Sequence, residues 1–180
     1  FDGVAPFAKM QQQRTRRHKG SILNKINNIV SKSSKSDSWS TSNITPGTSF
    51  MNNLSLKIKK AFTGLESHFN VKKIIVSGSN ENGEGEHKMF KYLRTKSNSV
   101  KGNTLIYGLD SDLIMLSLFH CKPFGQFFIY RETPEFGKKI INNENMNSDY
   151  LFLNIHSLLK AILSEMNCDN DDYHRMYDYI

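Results

Sequence analysis

The chain has 180 residues, which is long enough for one domain with a sizeable core. Its 24 Lys and Arg residues exceed its 17 Asp and Glu residues, giving a formal net charge of +7 that favours a nucleic-acid partner. It contains no run of about 20 apolar residues and no signal-like start, so neither a membrane span nor secretion is expected. Cys121 and Cys168 lack zinc-ligand spacing and are expected to be free thiols in a reducing compartment.

The first predicted helix carries a cationic face. It covers residues 8–19 and follows Asp2, which lies in a turn containing Gly and Pro. Four of its side chains follow i, i+4, i+7 and i+8 spacing and so share one face: Lys9, Gln13, Arg16 and Arg17. Such a face suits a terminal phosphate, because Arg offers a planar fork and Lys a point charge. A solvated basic face, or a nuclear-targeting cluster at residues 14–19, explains the same spacing equally well.

A Ser-rich stretch and a second helix come next. Residues 31–43 predict a mobile surface loop. Trp39 interrupts this loop. Its ring could stack on a nucleic-acid base, but anchoring of the loop to the core is the favoured role. Residues 46–48 then introduce a predicted helix over 49–62, with Met51, Leu54 and Ile58 on its buried face.

Two pairs of carboxylates each follow a predicted strand. Residues 73–77 and 104–107 are apolar, β-branched or aromatic runs that predict buried parallel strands. Glu84 and Glu86 follow the first run, Asp110 and Asp112 follow the second, and a helical stretch follows each pair at 89–93 and 113–119. In extended backbone, i, i+2 spacing points both side chains to the same side.

These acids predict a divalent-metal site. Ligands of open α/β sheets bind at the carboxyl ends of the strands, where Asp2 would add a fifth carboxylate. Five carboxylates in one cleft repel one another unless cations neutralise them, and all-oxygen ligands suit Mg²⁺ or Mn²⁺ better than Zn²⁺. The alternative is that the acids merely cap helices or complement helix dipoles.

Residues 150–166 predict a last amphipathic helix, and the elements together predict one α/β domain with a mainly parallel central sheet flanked by helices.

Five segments of the chain resemble one known family: DGVAPFAKMQQQRTRR at 2–17, ITPGTSFM at 44–51, SGSNENGEGEHK at 77–88, YGLDSDLIMLSL at 107–118 and, more weakly, QFFIYRE at 126–132. In this order they resemble the N-terminal nuclease region of the XRN family of 5′→3′ exoribonucleases, over residues 1 to about 135.

The resemblance implies a PIN/FEN-like nuclease fold, of which residues 1–180 would be a part, with further catalytic segments before and after them. It implies a hydrolase that removes mononucleotides from single-stranded RNA with a 5′ monophosphate, in RNA decay, using two Mg²⁺ ions, which Mn²⁺ could replace. The implied metal-binding and catalytic residues are Asp2, Glu84, Glu86, Asp110 and Asp112. The implied 5′-phosphate ligands are Lys9, Gln13, Arg16 and Arg17.

An intracellular protein is expected, cytoplasmic rather than nuclear, while protein partners cannot be read from the sequence. Two other functions stay open at this point. One is a structure-specific DNA nuclease of the flap endonuclease type, which resembles the same fold and also clusters acids for two metals. The other is an RNA-binding scaffold that keeps the fold without turnover, although a non-catalytic protein would have no need for five mutually repelling carboxylates.

Overall fold

The computed structural model describes residues 1–31, 39–96, 102–108, 110–122, 125–133, 149–168, 175 and 177. The chain divides into two compact units, Phe1–Met89 and Phe90–Ile180. The first contains α1 (Phe7–Val30), a short 3₁₀ turn (Thr41–Asn43), α2 (Ser49–Phe62) and the start of α3 (Gly85–Lys96). The second contains the rest of α3, then β1 (Thr104–Tyr107), α4 (Asp112–His120), β2 (Phe127–Glu132), β3 (Tyr150–Asn154) and α5 (Ile155–Glu165). Among the described residues, no helix combines the length and apolar character needed to cross a membrane.

Helix α1 is twice as long as the sequence predicted. It has 24 residues and continues past Gly20 to Val30, and none of its residues is buried. Glycine costs a helix interior about 1 kcal/mol relative to alanine, which does not by itself end a helix. The prediction for residues 8–19 is therefore confirmed, but its C-terminal boundary is wrong.

Helix α2 has the predicted boundaries and the predicted inner face. The Thr48 hydroxyl accepts a hydrogen bond from the Met51 amide at 3.3 Å and caps the helix. Met51 is buried, while Leu54 and Ile58 on the same face are partly buried. Ser55 is also buried, and its hydroxyl accepts a hydrogen bond from the Ser79 amide at 3.1 Å. This bond fixes the turn after residue 78 against α2.

The segment before α2 is described only in part, because residues 32–38 of the predicted mobile loop lie outside the described residues. Trp39 packs edge-on against Phe50, with ring centroids 5.4 Å apart. This contact supports the anchoring role for Trp39, although 54% of its surface is exposed.

The predicted strand over residues 73–77 is wrong. These residues form no ladder with any described part of the chain, and none of them is buried. Ile75, for example, is 52% exposed. A β-branched run favours extended backbone, but a strand also requires a neighbour that accepts and donates its ladder hydrogen bonds. Here the Ser77 carbonyl instead accepts a hydrogen bond from the Phe1 nitrogen at 3.0 Å.

The described residues of the second unit include a three-stranded sheet of order β1-β2-β3. Strands β1 and β2 are parallel, with Ile106 beside Ile129, and β2 and β3 are antiparallel, with Tyr130 beside Phe152. The α/β class is thus confirmed, whereas parallel pairing is found in one of the two strand pairs. Residues 104–107 form the predicted parallel strand, but only Ile106 is buried, so the predicted burial on both faces is wrong.

The predicted helix over residues 150–166 is wrong at its start. Residues 150–154 form β3, and α5 begins only at Ile155. The Asn154 side chain accepts a hydrogen bond from the Ser157 amide at 3.1 Å and marks the change from strand to helix. Aromatic and aliphatic residues fit a strand or a helix by pattern alone, and pairing with β2 decides in favour of the strand.

One face of the sheet carries the core of the second unit. Ten buried residues of the described ranges cluster there: Phe90, Ile106, Leu113, Leu118, Cys121, Phe127, Ile129, Ile155, Leu159 and Leu163. The rings of Phe90 and Phe127 stack with centroids 6.3 Å apart, which joins α3 to the sheet. Both cysteines are free thiols, as predicted, and burial raises the pKa of the Cys121 thiol.

The opposite face of the sheet exposes a group of aromatic rings. Tyr130 lies at its centre, 4.8 Å from the ring of Phe152 and 5.5 Å from that of Tyr107. The Tyr107 hydroxyl donates a hydrogen bond to the Glu132 carboxylate, which raises the pKa of Tyr107 and lowers the pKa of Glu132. Cross-strand ring contacts stabilise this face, although Phe152 remains 63% exposed.

The two faces of the sheet predict different responses to the same substitution. Phe127→Ala should lower the free energy of unfolding by about 3–5 kcal/mol, because its fully buried ring leaves a cavity. Phe152→Ala on the neighbouring strand should cost only about 0.2–1 kcal/mol, because it loses cross-strand contacts alone. Urea denaturation followed by circular dichroism measures both, and equal losses would contradict the assignment of the core to one face.

Candidate functional site

The first four residues run beside the turn that precedes α3. The Gly3 amide donates to the Gly83 carbonyl at 2.8 Å, and the Gly83 amide donates to the Val4 carbonyl at 3.0 Å. Gly3 is required at this crossing, because a Cβ atom there would overlap the Glu81 carbonyl. Gly83 has φ +96°, a conformation that glycine adopts without strain. Two backbone hydrogen bonds thus fix segments that are about 80 residues apart in the chain.

This crossing places Asp2 at the start of α3. One oxygen of its carboxylate accepts a hydrogen bond from the Gly85 amide at 2.7 Å. Gly85 is the first residue of the helix, where free N–H groups and the helix dipole favour negative charge. Asp2 therefore adjoins the Glu84 and Glu86 segment, as the sequence predicted, and it also serves as a cap.

Lys9, a predicted phosphate ligand, contacts Glu84, a predicted metal ligand in the turn before α3. The Lys9 ammonium is 3.3 Å from a carboxylate oxygen of Glu84, and the Glu84 side chain is only 12% exposed. The Lys88 ammonium donates to the Gly78 carbonyl at 2.8 Å and holds the other side of this turn. Helix α1 and the acidic turn therefore meet through a cation and a carboxylate.

The second pair of acids follows β1 in the second unit. The Asp112 amide donates to one carboxylate oxygen of Asp110 at 3.3 Å, and both residues are exposed at the start of α4. Asp110 thus shows helix-capping geometry, which was the alternative to metal binding. Its position between β1 and α4 agrees with the predicted order of strand, acid and helix, but Asp112 is the first residue of α4, so the predicted extended backbone across this pair is wrong.

The donor chemistry of these five acids fits Mg²⁺, because each supplies carboxylate oxygens. The positions of the acids relative to one another, however, do not form a complete metal site among the described residues. Among the described ranges, no three Asp, Glu, His or Cys side chains come close enough together to hold a metal ion. Asp2 and Glu84 instead have partners within the protein, namely the Gly85 amide and Lys9. That all five acids share one metal site stays a prediction.

Two of the four predicted phosphate ligands line one groove. Gln13 and Arg17 line a groove of about 700 Å³ between α1 and residues 39–46. One guanidinium nitrogen of Arg17 also donates to the Ile44 carbonyl at 3.4 Å across this groove. Lys9 and Arg16 are not among the residues that line the groove. Lys9 contacts Glu84, and Arg16 is exposed.

The groove contains polar side chains that sequence reasoning missed, because the predicted helix stopped at residue 19. Those on α1 beyond residue 19 are Ser21, Asn24, Lys25 and Asn28. Ser21 and Asn28 each lie three or four residues from Asn24 and Lys25 and seven from each other, which is the spacing of a single helical face. Helical spacing continued past Gly20 places these polar side chains on one face, and this is the sequence signal that would have identified them.

The chain belongs to a family of nuclease domains described as XRN 5′-3′ exonuclease N-terminus, whose model matches residues 1–133. It is similar to a protein of Cryptococcus neoformans named 5′-3′ exoribonuclease 2, with 38% identity over 157 residues that cover 73% of this chain and 14% of that protein.

It is also similar to proteins named 5′-3′ exoribonuclease 1 in two yeasts. The identity is 34% to that of Saccharomyces cerevisiae, covering 91% of this chain and 11% of the relative, and 36% to that of Schizosaccharomyces pombe, covering 90% and 13%. The chain spans only about a seventh or less of the length of these relatives. The family predicted from the sequence motifs is confirmed.

The crossing at Gly3 predicts opposite effects for two Gly→Ala substitutions. Gly3→Ala should destabilise the chain by about 1–3 kcal/mol, because the new methyl group overlaps the Glu81 carbonyl and forces the backbone apart. Gly20→Ala is the matched control, with no atom within 4 Å of the new methyl group, and should stabilise α1 by about 0.5–1 kcal/mol. Thermal unfolding measures both, and a Gly3→Ala variant as stable as the parent would contradict the close crossing.

Proposed function

We propose that the chain is part of the nuclease domain of a 5′→3′ exoribonuclease that hydrolyses single-stranded RNA with a 5′ monophosphate to mononucleotides, in RNA decay. The observation that carries the proposal is the 3.3 Å contact between Lys9 and Glu84, which joins the cationic helix to the acidic turn. The family match over residues 1–133 and the names of the relatives support the proposed reaction.

The proposed metal ligands are Asp2, Glu84, Glu86, Asp110 and Asp112. Their oxygens would hold two Mg²⁺ ions, or Mn²⁺, which when bound supply a hydroxide nucleophile and stabilise the leaving 3′ oxygen. The protein's own task is then to hold these carboxylates in place. The backbone crossing at Gly3 holds Asp2 in place, and the Lys9 ammonium holds the Glu84 carboxylate.

Lys9 has a second role in this proposal. A substrate phosphate that approaches Glu84 is repelled by the carboxylate, and a cation between the two groups offsets that repulsion. Since the Glu84 side chain is mostly shielded from solvent, the charge of Lys9 is screened less there than in open water. Lys9 therefore binds the phosphate, and its charge also reduces the repulsion between that phosphate and the Glu84 carboxylate.

Selection of the 5′ end would come from Lys9, Gln13, Arg16 and Arg17. A 5′ monophosphate pairs with the three cations and accepts a hydrogen bond from the Gln13 amide, whereas a 5′ hydroxyl leaves the cations without a phosphate partner. A cap or a triphosphate would be too large for the same pocket. Gln13 and Arg17 already share one groove, which supports part of this assignment.

The proposal includes a PIN/FEN-like fold with a mainly parallel central sheet. The parallel β1–β2 pair with Asp110 and Asp112 after β1 supports it. For a protein acting on RNA in decay, with two free thiols, we also propose an intracellular and cytoplasmic location.

Replacing both acids that follow β1 tests the metal site. Asp110→Ala combined with Asp112→Ala should abolish release of mononucleotides by the complete protein in Mg²⁺ while RNA binding remains measurable, because the acids hold the metal and not the RNA. Ser111→Ala is the matched control, since the Ser111 side chain makes no capping hydrogen bond. Retained turnover in the double variant would remove the metal assignment.

The same assay separates the proposed enzyme from a scaffold. Parent protein that binds RNA but releases no mononucleotide in Mg²⁺ or Mn²⁺ would favour a non-catalytic RNA-binding module. That outcome would leave the family assignment unchanged.

A second test concerns the 5′ end of the substrate. Arg17→Ala and, separately, Arg16→Ala should reduce the rate preference for 5′-monophosphate over 5′-hydroxyl RNA by about tenfold or more, because each loses a charged hydrogen bond to the phosphate. Lys19→Ala removes a cation from the same helix outside the four proposed ligands and should keep the preference. Parent protein that is indifferent to the 5′ end would instead favour a structure-specific nuclease.

A further inference from the structure

We propose that the groove between α1 and residues 39–46 binds single-stranded RNA beyond its terminal phosphate, with Lys25 on the phosphate backbone and Trp39 stacked on a base. This inference rests on the proposed function for the identity of the ligand. It adds a binding surface that lies outside the acids and the four phosphate ligands assigned above.

The charge of the groove favours a polyanion. Arg14, Arg17 and Lys25 line it from α1, and none of the described residues that line it is Asp or Glu. Hydroxyl and amide side chains make up most of the remaining polar lining, and these groups also hydrogen-bond to phosphate and sugar oxygens. The opposite wall contributes further hydroxyl groups, among them those of Ser40 and Thr41.

The length of the groove favours a chain over a single ion. Gln13 and Lys25 both line it and lie twelve positions apart on α1, which corresponds to about 18 Å along the helix axis. Its volume of about 700 Å³ is in the range of pockets that enclose whole organic ligands. A ligand that starts at Gln13 and Arg17 can therefore continue past the terminal phosphate to Lys25.

Trp39 provides the feature that distinguishes nucleic acid from an acidic peptide. Its ring is anchored edge-on against Phe50 at 5.4 Å, yet 54% of its surface is exposed and it lines the groove. Proteins that bind single strands combine a cationic groove with aromatic side chains on which bases stack. An acidic peptide would use the cations but would have no base to stack on Trp39.

The test measures RNA binding by the 180-residue chain without hydrolysis and without a terminal phosphate. The probe is a 5′-hydroxyl oligouridylate of about ten nucleotides with a 3′ fluorescein label, in EDTA, at several salt concentrations, and its anisotropy gives Kd for the parent and every variant. Trp39 is the only tryptophan of the chain, so quenching of its fluorescence reports directly on the groove. The variants are Lys25→Ala, its control Lys19→Ala on the same helix, and Trp39→Ala, whose fold is checked by circular dichroism.

The expected result has three parts. RNA quenches the Trp39 fluorescence, Lys25→Ala weakens binding and lowers the slope of log Kd against log salt by about 1, and Lys19→Ala leaves both unchanged. Trp39→Ala weakens binding by about fivefold or more, as expected for loss of one stacked base. Lys25 is exposed on α1, so its variant tests the groove even if Trp39→Ala disturbs the contact with Phe50.

Three results would overturn the inference. One is an equal loss of affinity in Lys25→Ala and Lys19→Ala, which would mean diffuse attraction to a basic helix. Another is polyglutamate that displaces the RNA as well as unlabelled RNA does, which would favour an acidic peptide. The last is a folded chain that does not bind RNA. Because the probe lacks a 5′ phosphate and is not hydrolysed, failure of the proposed reaction would leave the result at Lys25 unaffected.

Discussion

The first unit depends on the crossing of residues 1–4 with the turn before α3. Its two backbone hydrogen bonds, Gly3 to Gly83 and Gly83 to Val4, require a backbone approach that only glycine permits at position 3. Because of this crossing, Asp2 caps α3 and α1 begins close to the acidic turn. The contact between Lys9 and Glu84 follows from the same arrangement. A local backbone constraint thus brings together the groups on which the proposed chemistry depends.

The second unit follows a different principle, namely burial on one side of a sheet. Ile106, Phe127 and Ile129 point into a core with helices α3, α4 and α5, and this packing fixes β1. Asp110 and Asp112 then follow at the end of β1, where helix α4 begins. The position of these acids is therefore a consequence of strand and helix packing and not of contacts between the acids themselves. A rigid core is a suitable support for residues proposed to hold metal ions.

Much of the local structure could be predicted from the sequence, and the two errors in assigning strands have one physical origin. Helix α2 and strand β1 were predicted correctly because capping residues, turn residues and apolar spacing all agree at those positions. Residues 73–77 and 150–154 show the limit, since both are apolar runs whose state depends on a partner strand. The first lacks a partner among the described residues, and the second finds one in β2. Pattern within a segment does not identify the segment it pairs with.

The sequence by itself determined the family, the order of acids and helices, and the cationic face of α1, because motifs and spacing are local properties. Tertiary structure decided which of those groups meet. It paired Lys9 with Glu84, and it put Gln13 and Arg17 in the lining of a groove that runs on to Lys25 and Trp39. The physical reason is that a helical face fixes directions around one axis only, whereas contacts between distant segments depend on how the backbone crosses and packs.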